Sequence, residues 1–515
     1  MNTNTDNRQP NPDIGANPLV RYLDKPPRDF TGNDLVRYAT ASGIRMVNLC
    51  YAGGDGRLKQ LNFAIKDKNH LVDILEHGER VDGSSLFPYI ETSSSDLYVI
   101  PRYRTAFADS MADLPTLNLL CSYFDESGNP APIAPEHIVS AAHNSFRSIS
   151  NLELRALGEL EYYVIWPPNE QSRELYPCET QGGYHESLPF AKGEHIRLEM
   201  LAGLVQAGVN VKYGHAEVGS ICADDGTRMP QHEIELQLAP IEEMADQICM
   251  SKWLMRRIAY SHGAEVVFAP KLKLGHAGNG MHIHIAAFSD DTRNAMLEAG
   301  GQLSDDAKRI MAGILSSAKS LTAFANRVPT SFLRLVPNQE APVKICWGER
   351  NRSALVRVPL GWTADVDMVA AANPKETASR ELAVGSKQTV EMRSPDATAH
   401  AHYLLAGMAM AARKGFTMEG ALAFSDSLHI DVDIFADENA DLRDRLDDLP
   451  HSCQEAGQSL LDDRQVYEEG DVFPPELIDG VARSLFEHSD EDRLIAEANQ
   501  PEELERLVTR YIHYG

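Results

Sequence analysis

The sequence lacks several features that would each indicate a particular class of protein. It contains no run of about 18 uncharged apolar residues, so we expect no membrane-spanning helix. The first residues show neither the basic start nor the apolar stretch of a secretory signal. Positive charge is scarce: 48 Lys and Arg residues stand against 75 Asp and Glu residues, a formal net charge of −27. That balance argues against nucleic acid or an anionic membrane as the main partner.

Cysteine and phosphate-loop patterns are also missing. The seven cysteines are scattered along 515 residues, without a CxxC pair or a zinc-type spacing. We therefore predict reduced thiols and a cytoplasmic location. No GxxxxGK[ST] segment occurs, which disfavours a Walker-type nucleotide site.

Composition divides the chain into three parts. Residues 1–30 are rich in Asn, Asp and Pro, which predicts a disordered tail. Short alternating segments separated by Gly, Asp and Asn turns predict a small mixed domain over residues 31–130. The turn-rich stretch DESGNPAPIAPEH marks the boundary, and alternating helical and strand signals predict a larger domain over residues 131–515.

Five short strand-like segments carry charged side chains at every second position. The segments are GELEYYV, HEIEL, GMHIHIAAF, SALVRVP and VEMRSPD, and their charged residues are Glu159, Glu161, Glu233, Glu235, His282, His284, Arg357, Glu391 and Arg393. A single such strand usually has its charged side in water. Five faces that hold only Glu, His and Arg instead favour a shared cavity.

The residue types indicate the chemistry of that cavity. Glutamates gathered together repel one another, so either their pKa values rise or cations lie between them. Carboxylate oxygens with at most one imidazole suit magnesium or manganese better than zinc or copper. The segment RNRSALVRVP adds Arg350, Arg352 and Arg357, with Arg334 upstream, and arginine binds carboxylate and phosphate oxygens. Divalent cations together with arginines suggest phosphoryl transfer.

The same segments resemble the successive motifs of the glutamine synthetase family. The motifs occur in the family's order over about residues 80–400: VDGSS (81–85), GELEYY (158–163), HAEV (215–218), QHEI (231–234), GNGMHIH (278–284), RLVPNQEAPV (334–343), ERNRSALVRVP (349–359) and VEMRSPD (390–396). The resemblance implies an α+β fold. A small N-terminal β-grasp domain would precede a larger C-terminal catalytic domain, whose antiparallel curved sheet is flanked by helices. It also implies a homo-oligomer, a dodecamer of two stacked hexamers, with active sites between neighbouring subunits.

The resemblance further implies ATP as co-substrate and two or more Mg²⁺ or Mn²⁺ ions in each site. One ion would be held by Glu161, Glu217 and Glu233, and a second by Glu159, His282 and Glu391. The nucleotide and its phosphates would be bound by His284, Arg352 and Arg357.

The remaining roles that the resemblance implies concern glutamate and ammonium. Arg334, Arg393 and the loop at Gly278 would address glutamate and the phosphoryl group in transfer. Asp82 of a neighbouring subunit would bind and deprotonate ammonium, in a pocket completed by Ser85, Tyr184 and Glu217. Glu340 would lie on a flap that keeps water from the intermediate.

The sequence departs from the family pattern at four places. The link GSICADDGTRMP between HAEV and QHEI is longer than usual, and Ala277 replaces an Asn before Gly278. Ala286 replaces a serine after the HxH pair. The region of the adenylylated tyrosine offers Phe435, so control by adenylylation is not expected.

Three functions are consistent with these residues. The first is ATP-dependent synthesis of glutamine from glutamate and ammonia through γ-glutamyl phosphate. The second is a γ-glutamyl-amine ligase that uses methylamine, ethanolamine or a polyamine. Ala277 and the long link between HAEV and QHEI favour this second function. The third is a structural or regulatory relative without activity, which the retained metal-ligand pattern disfavours.

Overall fold

The structure is a computed structural model of the chain. It describes residues 17–90, 95–166, 176, 181–223, 225–290, 292–337, 341–361, 366–375, 387–497 and 501–515. The first half of the predicted tail, residues 1–16, therefore lies outside the described residues, as does Glu340.

Residues 17–30 are not the disordered tail that their composition predicts. Helix α1, Pro18–Leu23, begins at a proline, and the side chain of Asn17 accepts the backbone N–H of Leu19. Leu19 and Leu23 lie one helical turn apart and are both buried in the core of the N-terminal domain. Two apolar side chains on one face of a short helix are enough to fix a segment that is otherwise polar.

The N-terminal domain is a mixed sheet covered by short helices. Its strands are β1 Met46–Ala52, β2 Leu58–Ala64, β3 Glu79–Asp82, β4 Asp96–Pro101, β5 Phe107–Ala108 and β6 Thr116–Phe124. The order is β2-β1-β6-β4-β3, with β5 paired to β6, and β1 and β6 run parallel. Its further helices are α2 Gly32–Ala41, α3 Lys68–His77 and α4 Gly83–Leu86.

The larger domain is built on a nine-stranded sheet. Its strands are β7 Glu153–Ile165, β8 Val211–Cys222, β9 Arg228–Leu236, β10 Ala239–Pro240, β11 Glu265–Val267, β12 Met281–Phe288, β13 Trp347–Glu349, β14 Val356–Val358 and β15 Val390–Met392. The order is β13-β14-β15-β12-β7-β9-β8, and β10 and β11 also pair with β7. All pairs are antiparallel except β13 with β14.

The larger domain also contains the following helices, of which the first four contact strands of this sheet. They are α5 Pro135–Ser150, α6 Glu194–Gln206, α7 Ile241–Ser261, α8 Asp305–Ser316, α9 Ala318–Ala325, α10 Met368–Ala372, α11 Ala401–Thr417, α12 Ala421–Ser427, α13 Ala440–Arg443, α14 Cys453–Asp462, α15 Arg464–Glu468, α16 Pro475–Phe486, α17 Ser489–Ala496 and α18 Pro501–Arg510. Helix α11 is buried along most of its length between α5 and α8.

The division of each strand into two faces follows from the sequence. Leu160, Tyr162 and Ile283 point into the main hydrophobic core, whereas Glu159 and His282 point away from it. The predicted α+β architecture, with a small β-grasp domain and a larger helix-flanked sheet, is confirmed. In the described part of the chain, no helix combines the length and the apolarity needed to cross a membrane.

Candidate active site

Strand β7 lies at the centre of the site because residues of its two neighbours, β12 and β9, are paired with its acidic residues. In the pairing with β12, His282 is opposite Glu159. In the pairing with β9, Glu233 is opposite Glu161. Directly opposed residues point to the same side of a sheet, so these four side chains share one surface. Strand β15 extends that surface by placing Glu391 opposite His284 and opposite Arg357 of β14.

The first acidic cluster consists of Glu159, His282, His284 and Glu391. Nδ1 of His282 lies 2.9 Å from Oε2 of Glu159 and 3.5 Å from Oε1 of Glu391. Nε2 of His284 lies 2.9 Å from the other oxygen of Glu159. The opposite nitrogen of His284, Nδ1, is 2.9 Å from the hydroxyl of Thr389. Both rings are therefore held against the same carboxylate.

Opposite charges dominate this first cluster. Burial alone would raise the pKa of Glu159, but the charge of His284 and hydrogen bonds from both histidines hold it well below its usual value. Burial would lower the pKa of His284, yet Glu159 raises it to about 9. At neutral pH this part of the site holds an ionised carboxylate beside a charged imidazole.

The second acidic cluster consists of His215, Glu217 and Glu233. Strands β8 and β9 bring them together, and the register of this pair shifts between Ala216 and Ser220, next to Glu217. Nδ1 of His215 lies 3.6 Å from Glu217, and its Nε2 lies 3.5 Å from Glu233. Glu161 completes this end and accepts a 2.5 Å hydrogen bond from the backbone N–H of Gly280.

Like charges dominate the second cluster. Burial, together with the charges of Glu161 and Glu233, raises the pKa of Glu217 to about 8. Burial and the neighbouring carboxylates, Glu159 first among them, raise the pKa of Glu233 well above its usual value. Ionising all these carboxylates together is costly unless a cation lies between them.

The donor sets fit divalent cations. Ligand atoms of Glu159, His284 and Glu391 lie within 4.8 Å of one another, and so do those of His215, Glu217 and Glu233. Carboxylate oxygens with one imidazole are the ligands that Mg²⁺ and Mn²⁺ accept. In these two groups the histidines are His284 and His215, whereas the resemblance implies His282 for one ion and none for the other.

Arginines form the opposite wall. Nη1 of Arg357 is 2.9 Å from Oε2 of Glu391, and Nε of Arg393 is 3.2 Å from its Oε1. The guanidinium of Arg393 also donates to the backbone carbonyl of Arg352. Arg334 is buried and donates to the carbonyl of Ser394 at 2.9 Å. Glu391 thus fixes two cationic groups at the border between the acidic and basic halves.

Glycines allow the chain to approach Arg334 closely. A Cβ built on Gly278 would stand 2.3 Å from the carbonyl oxygen of Pro270, and one on Gly280 would stand 2.4 Å from Nη2 of Arg334. Neither position has room for a side chain. The carbonyl of the adjacent Ala277 accepts a 2.8 Å hydrogen bond from the buried hydroxyl of Tyr163, which holds this loop against the sheet.

These elements enclose a cleft of about 470 Å³. The predicted site residues that line it are Glu159, Glu161, Tyr184, Glu217, Glu233, Gly278, His282, Arg334, Arg352, Arg357, Glu391 and Arg393. His284 is buried behind Glu159 and does not line the cleft.

Asp82 and Ser85 lie outside this cleft, in the N-terminal domain. Asp82 precedes α4, and its carboxylate accepts hydrogen bonds from the hydroxyls of Ser84 and Ser85 at 2.7 Å and of Ser95 at 3.0 Å. These bonds, that of Ser85 first, hold the pKa of Asp82 well below its usual range. The carboxylate is exposed, and neither Asp82 nor Ser85 is among the residues that line this chain's own cleft.

Sequence reasoning missed His185, Tyr213 and His215, which also line the cleft. Tyr184 stacks on His185 with ring centroids 4.3 Å apart, and His185 lies 4.2 Å from His215. The alternation of Tyr213, His215 and Glu217 along β8 was the available signal, because residues at every second position share a face. His185 lies in a loop and had no such signal.

The extended link between HAEV and QHEI forms the tip of the β8–β9 hairpin. Cys222 pairs with Arg228 there, away from the cleft. Glu233 lines the cleft, whereas Glu235 is buried with Oε1 2.6 Å from the ammonium of Lys212. The two glutamates thus have different surroundings although they occupy the same strand face.

Comparison with known proteins agrees with this geometry. Residues 43–126 match the family model "Glutamine synthetase, beta-Grasp domain", and residues 134–491 match "Glutamine synthetase, catalytic domain". The glutamine synthetase of Clostridium saccharobutylicum is 26% identical over 437 residues, which cover 83% of this chain and 88% of that protein. The Thermus thermophilus glutamine synthetase is 30% identical over 343 residues, which cover 65% of this chain and 69% of that protein.

Solved structures show the same fold. A cryo-electron microscopy structure of Plasmodium falciparum glutamine synthetase superposes with a TM-score of 0.71 at 19% identity, covering 91% of this chain and 97% of that one. A GmaS–ADP complex superposes with a TM-score of 0.70 at 18% identity, covering 90% of this chain and 97% of that one. Together with the two family models, these relatives show that the chain belongs to the glutamine synthetase family, whose members are ligases that form carbon–nitrogen bonds.

Proposed function

We propose that the protein ligates ammonia to the γ-carboxylate of L-glutamate at the expense of ATP, giving glutamine, ADP and phosphate. The observation that supports this proposal is one cleft with two carboxylate clusters at one side and Arg334, Arg352, Arg357 and Arg393 at the other. Such a cleft can hold metal–nucleotide phosphates and an amino acid carboxylate together.

The chemistry requires an activated carboxylate. Ammonia that attacks a free carboxylate would have to expel oxide, which is a very poor leaving group. Transfer of the γ-phosphoryl group of ATP to glutamate gives γ-glutamyl phosphate, from which phosphate leaves readily. Because charge spreads over the phosphoryl oxygens during transfer, fixed cations next to them lower the barrier.

The chain's own residues divide this work. Arg357 and Arg393 are held by Glu391 within 3.2 Å, so their guanidinium groups are already oriented when substrates bind. Arg352 adds a third charge for the phosphates. Bound Mg²⁺ or Mn²⁺ would neutralise phosphate charge, and the two acidic clusters are the groups that would hold the ions.

The glutamate end is formed by Arg334 and the loop at Gly278. Arg334 is buried, and its contacts to backbone carbonyls leave its charge without a carboxylate partner among the described residues. The α-carboxylate of glutamate would supply that partner. Glu340, outside the described residues, keeps its predicted role as the residue that shields the intermediate from water.

The ammonium end would be completed by another copy of the chain. Asp82 and Ser85 lie on the N-terminal domain and do not reach this chain's own cleft. We propose a homo-oligomer, a dodecamer, in which they meet Tyr184 and Glu217 of a neighbour. An ionised Asp82 attracts ammonium and accepts the proton that the nitrogen must lose before its electron pair can attack the γ-glutamyl phosphate.

A γ-glutamyl-amine ligase is the second candidate. Ala277 lines the cleft beside Gly278 and offers no polar side chain there. A GmaS, a γ-glutamylmethylamide synthetase, is also among the structures with this fold. Methylamine, ethanolamine or a polyamine would then replace ammonia as the nucleophile.

Turnover with a panel of amines tests the proposal. Phosphate release from ATP is measured with glutamate, Mg²⁺ and each of ammonium, methylamine, ethanolamine and putrescine, and the product is identified by its mass. Turnover that is highest with ammonium supports glutamine synthesis. Turnover only with a larger amine establishes the second candidate, and silence with all four overturns both. The Glu391→Gln protein controls for contaminating ATPases.

Asp82→Asn tests the shared site. We expect ammonium-dependent turnover to fall about a hundredfold, because the variant keeps the shape but loses the charge and the base. Binding of ADP with Mg²⁺, measured by calorimetry, should be unchanged. An equal loss of nucleotide binding would contradict the proposed role of Asp82.

A further inference from the structure

The sheet face that carries the second acidic cluster continues beyond it with two uncharged polar side chains. On β7, Tyr163 stands two residues after Glu161, and on β9, Gln231 stands two residues before Glu233. Glu161 is paired with Glu233, and Tyr163 is paired with Gln231. Residues two positions apart share one face of a strand, so the phenol and the amide lie on the same face as the carboxylates. Both are buried, with 0% and 1% of their surface exposed.

These two side chains hold three successive residues of the loop at Gly278. The hydroxyl of Tyr163 donates to the carbonyl of Ala277 at 2.8 Å. The amide nitrogen of Gln231, Nε2, donates to the carbonyl of Gly278 at 2.9 Å and to Oδ1 of Asn279 at 3.0 Å. The loop is therefore bonded to the two strands that also present the carboxylates.

Strand β8 fixes the amide from its other end. Oε1 of Gln231 accepts a 2.9 Å hydrogen bond from the backbone N–H of Gly219, which stands two residues after Glu217. A Cβ built on Gly219 would stand 2.0 Å from the hydroxyl of Tyr163 and 2.4 Å from Oε1 of Gln231, so only glycine fits there. Each of the three strands that carry a carboxylate of the second cluster thus also carries, two residues away, a member of this hydrogen-bonded group.

The extended β8–β9 hairpin supports the chain that leads into the loop. Ile221, from the long link GSICADDGTRMP, packs with Tyr163, Val267 and Ala269 in a small hydrophobic cluster. Nδ2 of Asn279 donates to the carbonyls of Val267 at 3.1 Å and of Ala269 at 2.9 Å. The link that departs from the family pattern therefore packs against the segment to which the loop is anchored.

The loop itself is made of small residues. Ala277 and Gly278 have no side chain that can form a hydrogen bond, and glycine leaves the backbone conformationally free. Ordering such a loop when a ligand binds costs conformational entropy and weakens binding. Hydrogen bonds that order the loop beforehand remove that cost, and they also fix the orientation of the bound ligand.

We propose that Tyr163 and Gln231 are positioning residues for glutamate. They hold the loop at Gly278 at a fixed place relative to Arg334 and to the second acidic cluster. Neither side chain is among the described residues that line the cleft, so both act through the loop. This inference rests on the proposed function, in which glutamate binds at that loop.

Tyr163→Phe tests the proposal on the full chain, because it removes one hydroxyl and keeps the ring. We expect KM for glutamate to rise about tenfold, since the buried carbonyl of Ala277 loses its donor. The turnover number and KM for ATP should change by less than about twofold, because the nucleotide does not contact the loop. Steady-state kinetics with glutamate and ATP varied in turn, and with the amine that supports turnover, measure the three values.

The matched control is Tyr162→Phe, at the next residue of β7. Tyr162 is equally buried but points into the hydrophobic core, and in the described part of the chain its hydroxyl has no hydrogen-bond partner. Its loss should leave KM for glutamate unchanged.

Gln231→Met is the second variant, because methionine keeps the length of the side chain and removes the amide. We expect KM for glutamate to rise about thirtyfold, since two hydrogen bonds to the loop are lost. Gln237→Met, at an exposed position just beyond β9, is the control and should behave as the unaltered protein does. If Gln231→Met fails to fold, Tyr163→Phe alone decides between the outcomes.

Three results would overturn the proposal. An equal rise of KM for ATP and for glutamate would show that the two residues support the sheet as a whole. An unchanged KM for glutamate, in variants that turn over normally, would overturn the positioning role and leave the proposed function intact. Absence of glutamate-dependent turnover in the unaltered protein would overturn both.

Discussion

The two acidic clusters of the cleft contain similar residues and yet are in opposite electrostatic states. Around Glu159, two histidines and the arginines at Glu391 supply positive charge, and the pKa of Glu159 is held low. Around Glu217 and Glu233, carboxylates face one another with His215 alone between them, and both pKa values are raised. Without a bound cation, the first cluster is balanced by positive side chains of the protein, whereas the second keeps an excess of mutually repelling carboxylates.

Glu391→Gln should have the largest effect, because it removes the charge that holds Arg357 and Arg393. We expect turnover to fall about a thousandfold, and the free energy of unfolding to fall by about 3 kcal/mol, because the buried Arg393 and the partly buried Arg357 lose their ion pairs with Glu391. Steady-state kinetics and denaturant unfolding measure the two effects. Glu349→Gln, an exposed position on β13, is the control and should change neither.

Glu217→Gln should raise the free energy of unfolding at high pH, whereas Glu391→Gln should lower it. The raised pKa of Glu217 means that its ionisation costs more in the folded protein than in the unfolded chain. Stability is therefore present below the unfolded pKa and is lost as the pH rises towards 8. In metal-free protein at pH 8, we expect the variant to be more stable by about 2 kcal/mol, and at pH 4 to be unchanged.

The same substitution should lower turnover about a hundredfold, because a ligand of the bound cation is lost. Denaturant unfolding at the two pH values is measured with a chelator present. A gain in stability only at pH 8 indicates loss of charge repulsion at Glu217, whereas an equal change at both pH values indicates altered packing. A variant that is less stable at pH 8 would show that positive side chains balance the charge of Glu217, as they balance that of Glu159.

Metal binding should release protons from the second cluster. Because the pKa of Glu217 is about 8 and that of Glu233 is also raised, a cation must displace protons below that pH. We expect the affinity for Mn²⁺ to rise about tenfold per pH unit for each proton displaced between pH 6 and 8, and then to level off. Calorimetry in buffers of different ionisation enthalpy counts the protons, and the Glu217→Gln protein should release fewer. A pH-independent affinity would contradict the raised values.

Thr389→Val should give the smallest effect. It removes the hydroxyl that lies 2.9 Å from Nδ1 of His284 and keeps the shape of the side chain. We expect KM for ATP to rise about tenfold or less, since the imidazole still contacts Glu159. Thr417→Val at the exposed end of α11 is the control. A change in stability without a change in KM would mean that Thr389 serves packing only.

The period-two pattern predicted most of the acidic surface. Glu159, Glu161 and His282 had to share a face once their segments were strands, because side chains alternate along a strand whatever the rest of the fold does. The helical signals predicted for the larger domain likewise agree with helices such as α6, α7 and α11. Composition failed at α1, where Leu19 and Leu23 outweigh the surrounding polar residues.

The positions of the remaining groups depend on tertiary structure. The break in the β8–β9 register between Ala216 and Ser220 has no signal in local sequence. His185 reaches the cleft from a loop.

The sequence by itself determined which residues carry the chemistry and which strand faces present them, because alternation and residue type are local properties. Only the tertiary structure decided the charge state of each carboxylate. The pKa of Glu159 is lowered and that of Glu217 is raised by neighbours that come from other strands. Electrostatic interactions depend on distance and burial, and both are set when distant segments pack together.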